Sequence, residues 1–337
     1  MACACCGTLI TRCNSLKKSI ALLTFILFFS IGCGGLAPSP QPAPTPTPVP
    51  SWTFRPLPSP TQTITLAPTF TPTETVTASL IPTITSTETL TLTPEPQFRM
   101  QGPGQVIIPI LLYHQIGYSE IKDNQYYVAP EEFEKQMFLL HAWGYKTVTV
   151  QQLANAILNG AELPYKPIAL TFDDGNDNTY SRAFPIMQRY NFTGTAYIVY
   201  NYVGITNYMN KAQIRELYAA GWEIGSHGLS HVDLTKRTDR QEDEIIESKR
   251  KLQILLEVPI STFAYPFGSY DELSLHYLDF AGYTAAVGLG PDMRQGPGNI
   301  YYLYRRDIKG TYDLKTFSQF LPWQGDFENL PSMTVVP

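Results

Sequence analysis

Ile168-Ala169-Leu170-Thr171-Phe172-Asp173-Asp174-Gly175 runs an apolar segment straight into two carboxylates and a glycine. The apolar part reads as a buried strand, so the acids fall where the strand ends. Adjacent carboxylates at the mouth of a buried strand repel each other and are costly to desolvate unless a cation neutralises them. A plain polar turn with Asp174-Gly175 at its tip accounts for the same residues, and the rest of the chain has to decide between the two.

Outward from this segment, short apolar runs alternate with helical patterns. Strands are predicted at Val106–Tyr113, Lys146–Val148, Ile168–Phe172, Thr195–Val199, Glu223–Gly225, Thr262–Ala264, Thr284–Val287 and Leu303–Ile308. Between them, Glu131–Ala142 places Phe133, Met137 and Leu140 on one side and stops at Gly144. Lys211–Ala220 stops at Gly221, and Arg240–Leu256 gathers Ile245, Leu252 and Leu256 on its buried face. Such alternation predicts an α/β fold with parallel strands and right-handed crossovers. About seven or eight units of this kind predict a barrel, with chemistry where the strands end.

Two further strand ends carry polar groups. Gly221-Trp222-Glu223-Ile224-Gly225-Ser226-His227-Gly228-Leu229-Ser230-His231 sets two histidines four apart in a Gly/Ser-rich turn, a spacing that can aim both imidazoles at one ion. The chain has only five histidines, which weighs against two unrelated surface residues here. Together with the paired aspartates they offer three ligands and open positions, the layout of a hydrolytic metal site and not of a closed structural one. In Thr262-Phe263-Ala264-Tyr265-Pro266-Phe267-Gly268-Ser269-Tyr270-Asp271 a strand stops at a Pro-aromatic-Gly turn. That turn can offer a backbone N–H to an oxyanion and rings to a sugar face, though a simple turn is its commoner meaning.

Thr171-Phe172-Asp173-Asp174-Gly175, Ser226-His227-Gly228-Leu229-Ser230-His231 and Tyr265-Pro266-Phe267-Gly268, in this order, resemble the polysaccharide deacetylases of the NodB-homology type, carbohydrate esterase family 4. The resemblance covers residues 106–310 and implies a distorted (β/α)7 barrel. It implies a metal-dependent hydrolase that removes N-acetyl groups from an extracellular amino-sugar polymer, such as poly-N-acetylglucosamine, peptidoglycan or a chitin-like chain, and releases acetate. By the same resemblance Asp173 is the general base, Asp174, His227 and His231 bind a divalent metal, usually zinc, and the Phe267 amide joins the oxyanion hole.

Two departures from the family pattern matter. Where many members carry an arginine that orients the base, this chain has Ala264; Arg305 and Arg306 are the candidates to supply it, and strand alternation lets at most one of them face inward. The late Leu-x-His motif is missing, since no histidine follows His276. Ile110-Leu111-Leu112-Tyr113-His114 instead ends a strand in histidine ahead of the first motif. First and last strands are neighbours in a closed barrel, so His114 is assigned as the general acid, an arrangement similar to the subgroup of biofilm poly-N-acetylglucosamine deacetylases. Inside helical patterns, His141 reads as structural and His276 as surface or core filler, and Tyr200, Tyr202, Tyr208 and Tyr270 are candidates to stack on sugars. A non-catalytic carbohydrate-binding protein on the same scaffold, an O-acetyl esterase and a small-amide deacylase stay open, because specificity sits in loops.

The chain has 337 residues and a net charge of −5, which argues against the basic face that nucleic acid requires, and no protein partner is predicted. Cys3, Cys5, Cys6, Cys13 and Cys33 all precede residue 34, so residues 99–337 contain no internal disulfide or thiolate ligand. Arg12, Lys17 and Lys18 lead into the apolar run Ile20–Ile31, near the length of a secretory h-region and short for a membrane span. Ser30-Ile31-Gly32-Cys33 then resembles a bacterial lipoprotein signal with Cys33 acylated, although Ser30 departs from the usual aliphatic residue; ordinary cleavage and an uncleaved anchor are the alternatives. Residues 34–98, rich in Pro, Thr and Ser, cannot bury a core and read as a disordered linker. The expected organisation is a signal at 1–33, a linker at 34–98 and a catalytic domain at 99–337, lipid-anchored at the extracellular face of the cell membrane or secreted.

Overall fold

The computed structural model describes residues 98–122 and 124–333. The expected signal with Cys33, and all but the last residue of the expected linker, lie outside the described residues.

Eight parallel strands make one curled sheet: β1 (Ile110–Tyr113), β2 (Lys146–Thr147), β3 (Pro167–Phe172), β4 (Thr195–Ile198), β5 (Glu223–Ser226), β6 (Thr262–Ala264), β7 (Ala285–Val287) and β8 (Arg306–Asp307). Their order is β7-β6-β5-β4-β3-β1-β8, with β2 alongside the first half of β3. Residues 303–307 join the two ends of the curl. Leu303 bridges to Val287 of β7, while Arg306 and Asp307 pair with Leu111 and Leu112 of β1. The result is the distorted barrel expected from the alternation of elements.

Helices α1 (Pro130–Ala142), α2 (Val150–Asn159), α3 (Phe184–Arg189), α4 (Lys211–Ala219), α5 (Ser248–Leu256), α6 (Glu272–Phe280) and α7 (Leu314–Ser318) fill most of the connections. Strand residues alternate between two apolar clusters, as a sheet covered on both faces requires. Leu111, Tyr113, Leu170 and Phe172 pack outward with helix residues such as Phe133 and Met137. Ile110, Ala169, Tyr197, Ala264 and Leu303 belong to the interior cluster, which Leu153 and Ile157 of α2 complete. The α2 N-terminus sits at the strands' starting ends: its Val150 and Gln151 amides donate to Thr195 Oγ1 at 3.2 Å and Glu223 Oε2 at 2.8 Å. One end of the barrel is thereby filled, and the ends that carry the polar motifs stay open.

Three expectations change. The predicted strand Val106–Tyr113 breaks at Pro109, which has no N–H to give a ladder. Val106–Ile107 pairs antiparallel with Arg294–Gln295 instead, and β1 begins at Ile110. Helix α2, with a Thr149/Gln152 capping box, was not anticipated. The helix expected over Arg240–Leu256 starts with a π-turn, Asp243–Glu247, before α5.

Candidate active site

Alternation along β3 decides where the first motif points. Ala169 and Thr171 face the interior, so Asp173 follows them inward and is only 2% exposed. Asp174 then leaves the strand with φ of 73°, His231 has φ of 57° and Phe267 φ of 60°. Side chains other than glycine seldom adopt this left-handed region. Half of the six such residues in the described chain meet here, the clustering of strain that marks a functional site.

The predicted ligands converge. Asp174 Oδ1 lies 3.3 Å from His231 Nε2 and 3.6 Å from His227 Nε2, and one ligand atom from each of the three falls within 4.8 Å of the others. The buried His227 ring has Nδ1 2.8 Å from the Ala264 carbonyl. A proton on Nδ1 satisfies that carbonyl and leaves the Nε2 lone pair free toward Asp174, the tautomer that a metal ligand needs. Burial first, and then the neighbouring His231, push His227 below its ordinary pKa against the pull of Asp173 and Asp174, which favours the neutral ring. These donors fit a divalent ion of the zinc type: two imidazoles and a carboxylate, with one side left to a cavity.

Asp173 is held differently. Arg305 Nη1 and Nη2 donate to its two carboxylate oxygens at 2.7 and 2.8 Å, a bidentate fork with both partners buried. Arg305 also donates through Nε to the Gly288 carbonyl. Of the two candidate arginines it is Arg305, just ahead of β8, that meets Asp173, and Arg306 turns away over the ring of Phe320. Burial alone would raise the Asp173 carboxyl. Arg305, through its charge and its hydrogen bonds, outweighs it and holds the group at about 2, so it is ionised at neutral pH.

His114 and Phe267 line the same cavity of about 490 Å³ as Asp173, Asp174, His227 and His231. His114 Nδ1 is 3.7 Å from Asp307 Oδ1, an ion-pair distance too long for a hydrogen bond; both atoms are buried and otherwise unpartnered. Asn176 ties this side of the site together by donating to the His114 carbonyl at 3.1 Å. The Phe267 ring meets His231 edge to face at 4.8 Å. Asp307 escaped the reading of the sequence, as did Tyr126, whose ring lies 4.9 Å from His114. The signal for Asp307 was present: it stands two residues after Arg305 and so faces the same way. Of the four tyrosines proposed for stacking, Tyr202 packs on Tyr208 and Tyr270 on Tyr302, and none lines this cavity. His141 rests against Tyr190, and His276 is exposed on α6.

Residues 160–286 match the family model for polysaccharide deacetylase. These residues mark a polysaccharide deacetylase domain in this chain. This deacetylase is similar to the YxkH protein of Bacillus subtilis (strain 168), 28% identical over 199 residues that make up 59% of this chain and 70% of that one. It is 27% identical over 201 residues to the poly-beta-1,6-N-acetyl-D-glucosamine N-deacetylase of Staphylococcus aureus (strain MSSA476), covering 55% and 68% of the two chains. Among solved structures, the Streptococcus pyogenes deacetylase PplD in complex with acetate superposes with a TM-score of 0.59 at 27% identity, covering 64% of this deacetylase and 98% of that chain.

Proposed function

We propose that this deacetylase hydrolyses N-acetyl groups of an extracellular amino-sugar polymer, such as the poly-N-acetylglucosamine named for the similar Staphylococcus aureus enzyme, and releases acetate with the help of a divalent ion, zinc. The observation that carries the reading is the meeting, in one cavity, of an Arg305-locked carboxylate, an Asp–His–His ligand set and a histidine–carboxylate pair.

Asp174, His227 and His231 would hold the ion, which supplies Lewis-acid polarisation of the acetamide carbonyl and raises the acidity of water beside it. Asp173, ionised and fixed by Arg305, takes the proton as the water oxygen attacks the acyl carbon. The Phe267 amide offers its N–H to the oxygen where charge develops. His114 gives a proton to the nitrogen as the C–N bond breaks, and Asp307 steadies the imidazolium that must exist beforehand. The products are acetate and a free amino sugar. On the reading of residues 1–98, an acylated Cys33 holds the enzyme at the outer face of the membrane, and the linker gives it reach.

Acetate release from N-acetylated glucosamine oligomers tests the reaction. Activity is expected to fall to background with a chelator and to return with added zinc; release that ignores the chelator contradicts the ion's role. His114→Ala is expected to lower kcat by about 10²–10⁴-fold, the usual range for a general acid, and Asp307→Asn to lower it less. Full activity in His114→Ala would remove that residue from the mechanism.

A further inference from the structure

Glu244 sits in the π-turn ahead of α5, fully buried, and does not line the catalytic cavity. Its Oε2 accepts from the Leu229 amide at 2.7 Å and the Ser230 amide at 2.8 Å. Its Oε1 accepts from the Ser230 hydroxyl at 2.5 Å and from Arg240 Nη2 at 3.4 Å. All of these donors except Arg240 belong to the stretch between the two ligand histidines. Gly228 permits the approach, since a Cβ there would lie 2.8 Å from Oε2, and its φ of +84° suits glycine.

We infer that Glu244 is a positioning residue that sets His231 for the metal before any ion arrives. The inference rests on the reading of Asp174, His227 and His231 as ligands. His227 is fixed independently by the Ala264 carbonyl. His231 has a left-handed backbone, which persists only where its surroundings over-determine it. The Leu229 amide and the Ser230 amide and hydroxyl, all three bound to Glu244, provide that constraint immediately before His231 in the chain. A buried carboxylate that satisfied nothing but packing would be a poor stabiliser, because an apolar side chain of the same size serves as well or better. Ordering a ligand in advance saves its conformational entropy at the moment of binding, and removing such an outer partner typically weakens metal affinity about 10–100-fold.

Glu244→Gln places an NH2 donor against groups that already donate. Zinc affinity of the full chain, measured by competition with a chromophoric chelator, is expected to fall about 10–100-fold, while the metal-free protein keeps its far-UV circular dichroism. In a His231→Ala background the same substitution is expected to add no further loss. Unchanged affinity in Glu244→Gln overturns the proposal, and so does an equal additional loss without His231, which marks a general structural role. Should Glu244→Gln fail to fold, Ser230→Ala replaces it, with weaker zinc binding expected and unchanged binding again fatal. A wild-type chain that takes up no zinc refutes the ligand reading itself, whereas wild-type uptake matched by Glu244→Gln refutes the clamp alone.

Discussion

Arg305→Met is expected to destabilise the folded domain by about 3–5 kcal/mol and to abolish acetate release, because it strands a buried carboxylate without its partner. Asp173 is 2% exposed and both of its oxygens are taken up by the guanidinium. Methionine fills much of the space but donates nothing. The double variant Arg305→Met, Asp173→Leu is expected to recover most of the stability and none of the activity, since a volume-matched apolar pair removes the charge problem.

Acidification sharpens the test. In the wild type, burial pushes the Asp173 carboxyl up and Arg305 overrides it to about 2, below the ordinary value of 3.8. A depressed carboxyl contributes stability that is complete above its unfolded pKa, near 4, and is lost as pH falls through about 2. In Arg305→Met the chief opposing charge is gone and the carboxyl rises, so the variant gains on the wild type as pH drops. Urea unfolding at pH 7 and near pH 4 measures both effects. A variant within about 1 kcal/mol of wild type at pH 7 would mean that the pair is not the strut described above.

Asp173→Asn is expected to cut turnover by about 10²–10⁴-fold or more while the chain still binds its ion. The amide keeps the shape and one acceptor for Arg305 but cannot take a proton. The ligand set itself is unaltered: Asp173 Oδ2 also comes within 3.7 Å of His227 Nε2, but it is Asp174 that reaches His231, at 3.3 Å. The informative pair of readings is kcat and bound zinc per chain on the same preparation. Turnover that survives would take Asp173 out of the role of base, and zinc lost together with turnover would mean that the two aspartates share the ion.

Much of this site was legible because its parts are local. A strand running into Asp173-Asp174 and a turn that spaces His227 from His231 each declare themselves within a few residues, and alternation along a strand allowed only one of Arg305 and Arg306 to face inward. What stayed hidden depends on long-range register. Asp307 matters only because β8 pairs with β1, setting Asp307 against Leu112 and so near His114. Glu244 matters because a π-turn brings its side chain under a loop that lies well before it in the chain. Pro109 announced the break before β1 and was passed over, and α2 was missed although Thr149 and Gln152 form a capping box at its start. Identical apolar letters serve strand and helix, so pattern alone does not arbitrate such short segments.

Asp174 and the His227–His231 pair, far apart in the chain, are held to share one ion beside Asp173. Anomalous diffraction from a crystal of the zinc-loaded protein addresses it directly. One strong peak is expected about 2.0–2.2 Å from His227 Nε2, His231 Nε2 and an Asp174 oxygen, with Asp173 still on Arg305. Zinc bound elsewhere, with no density between those three residues, would contradict the account.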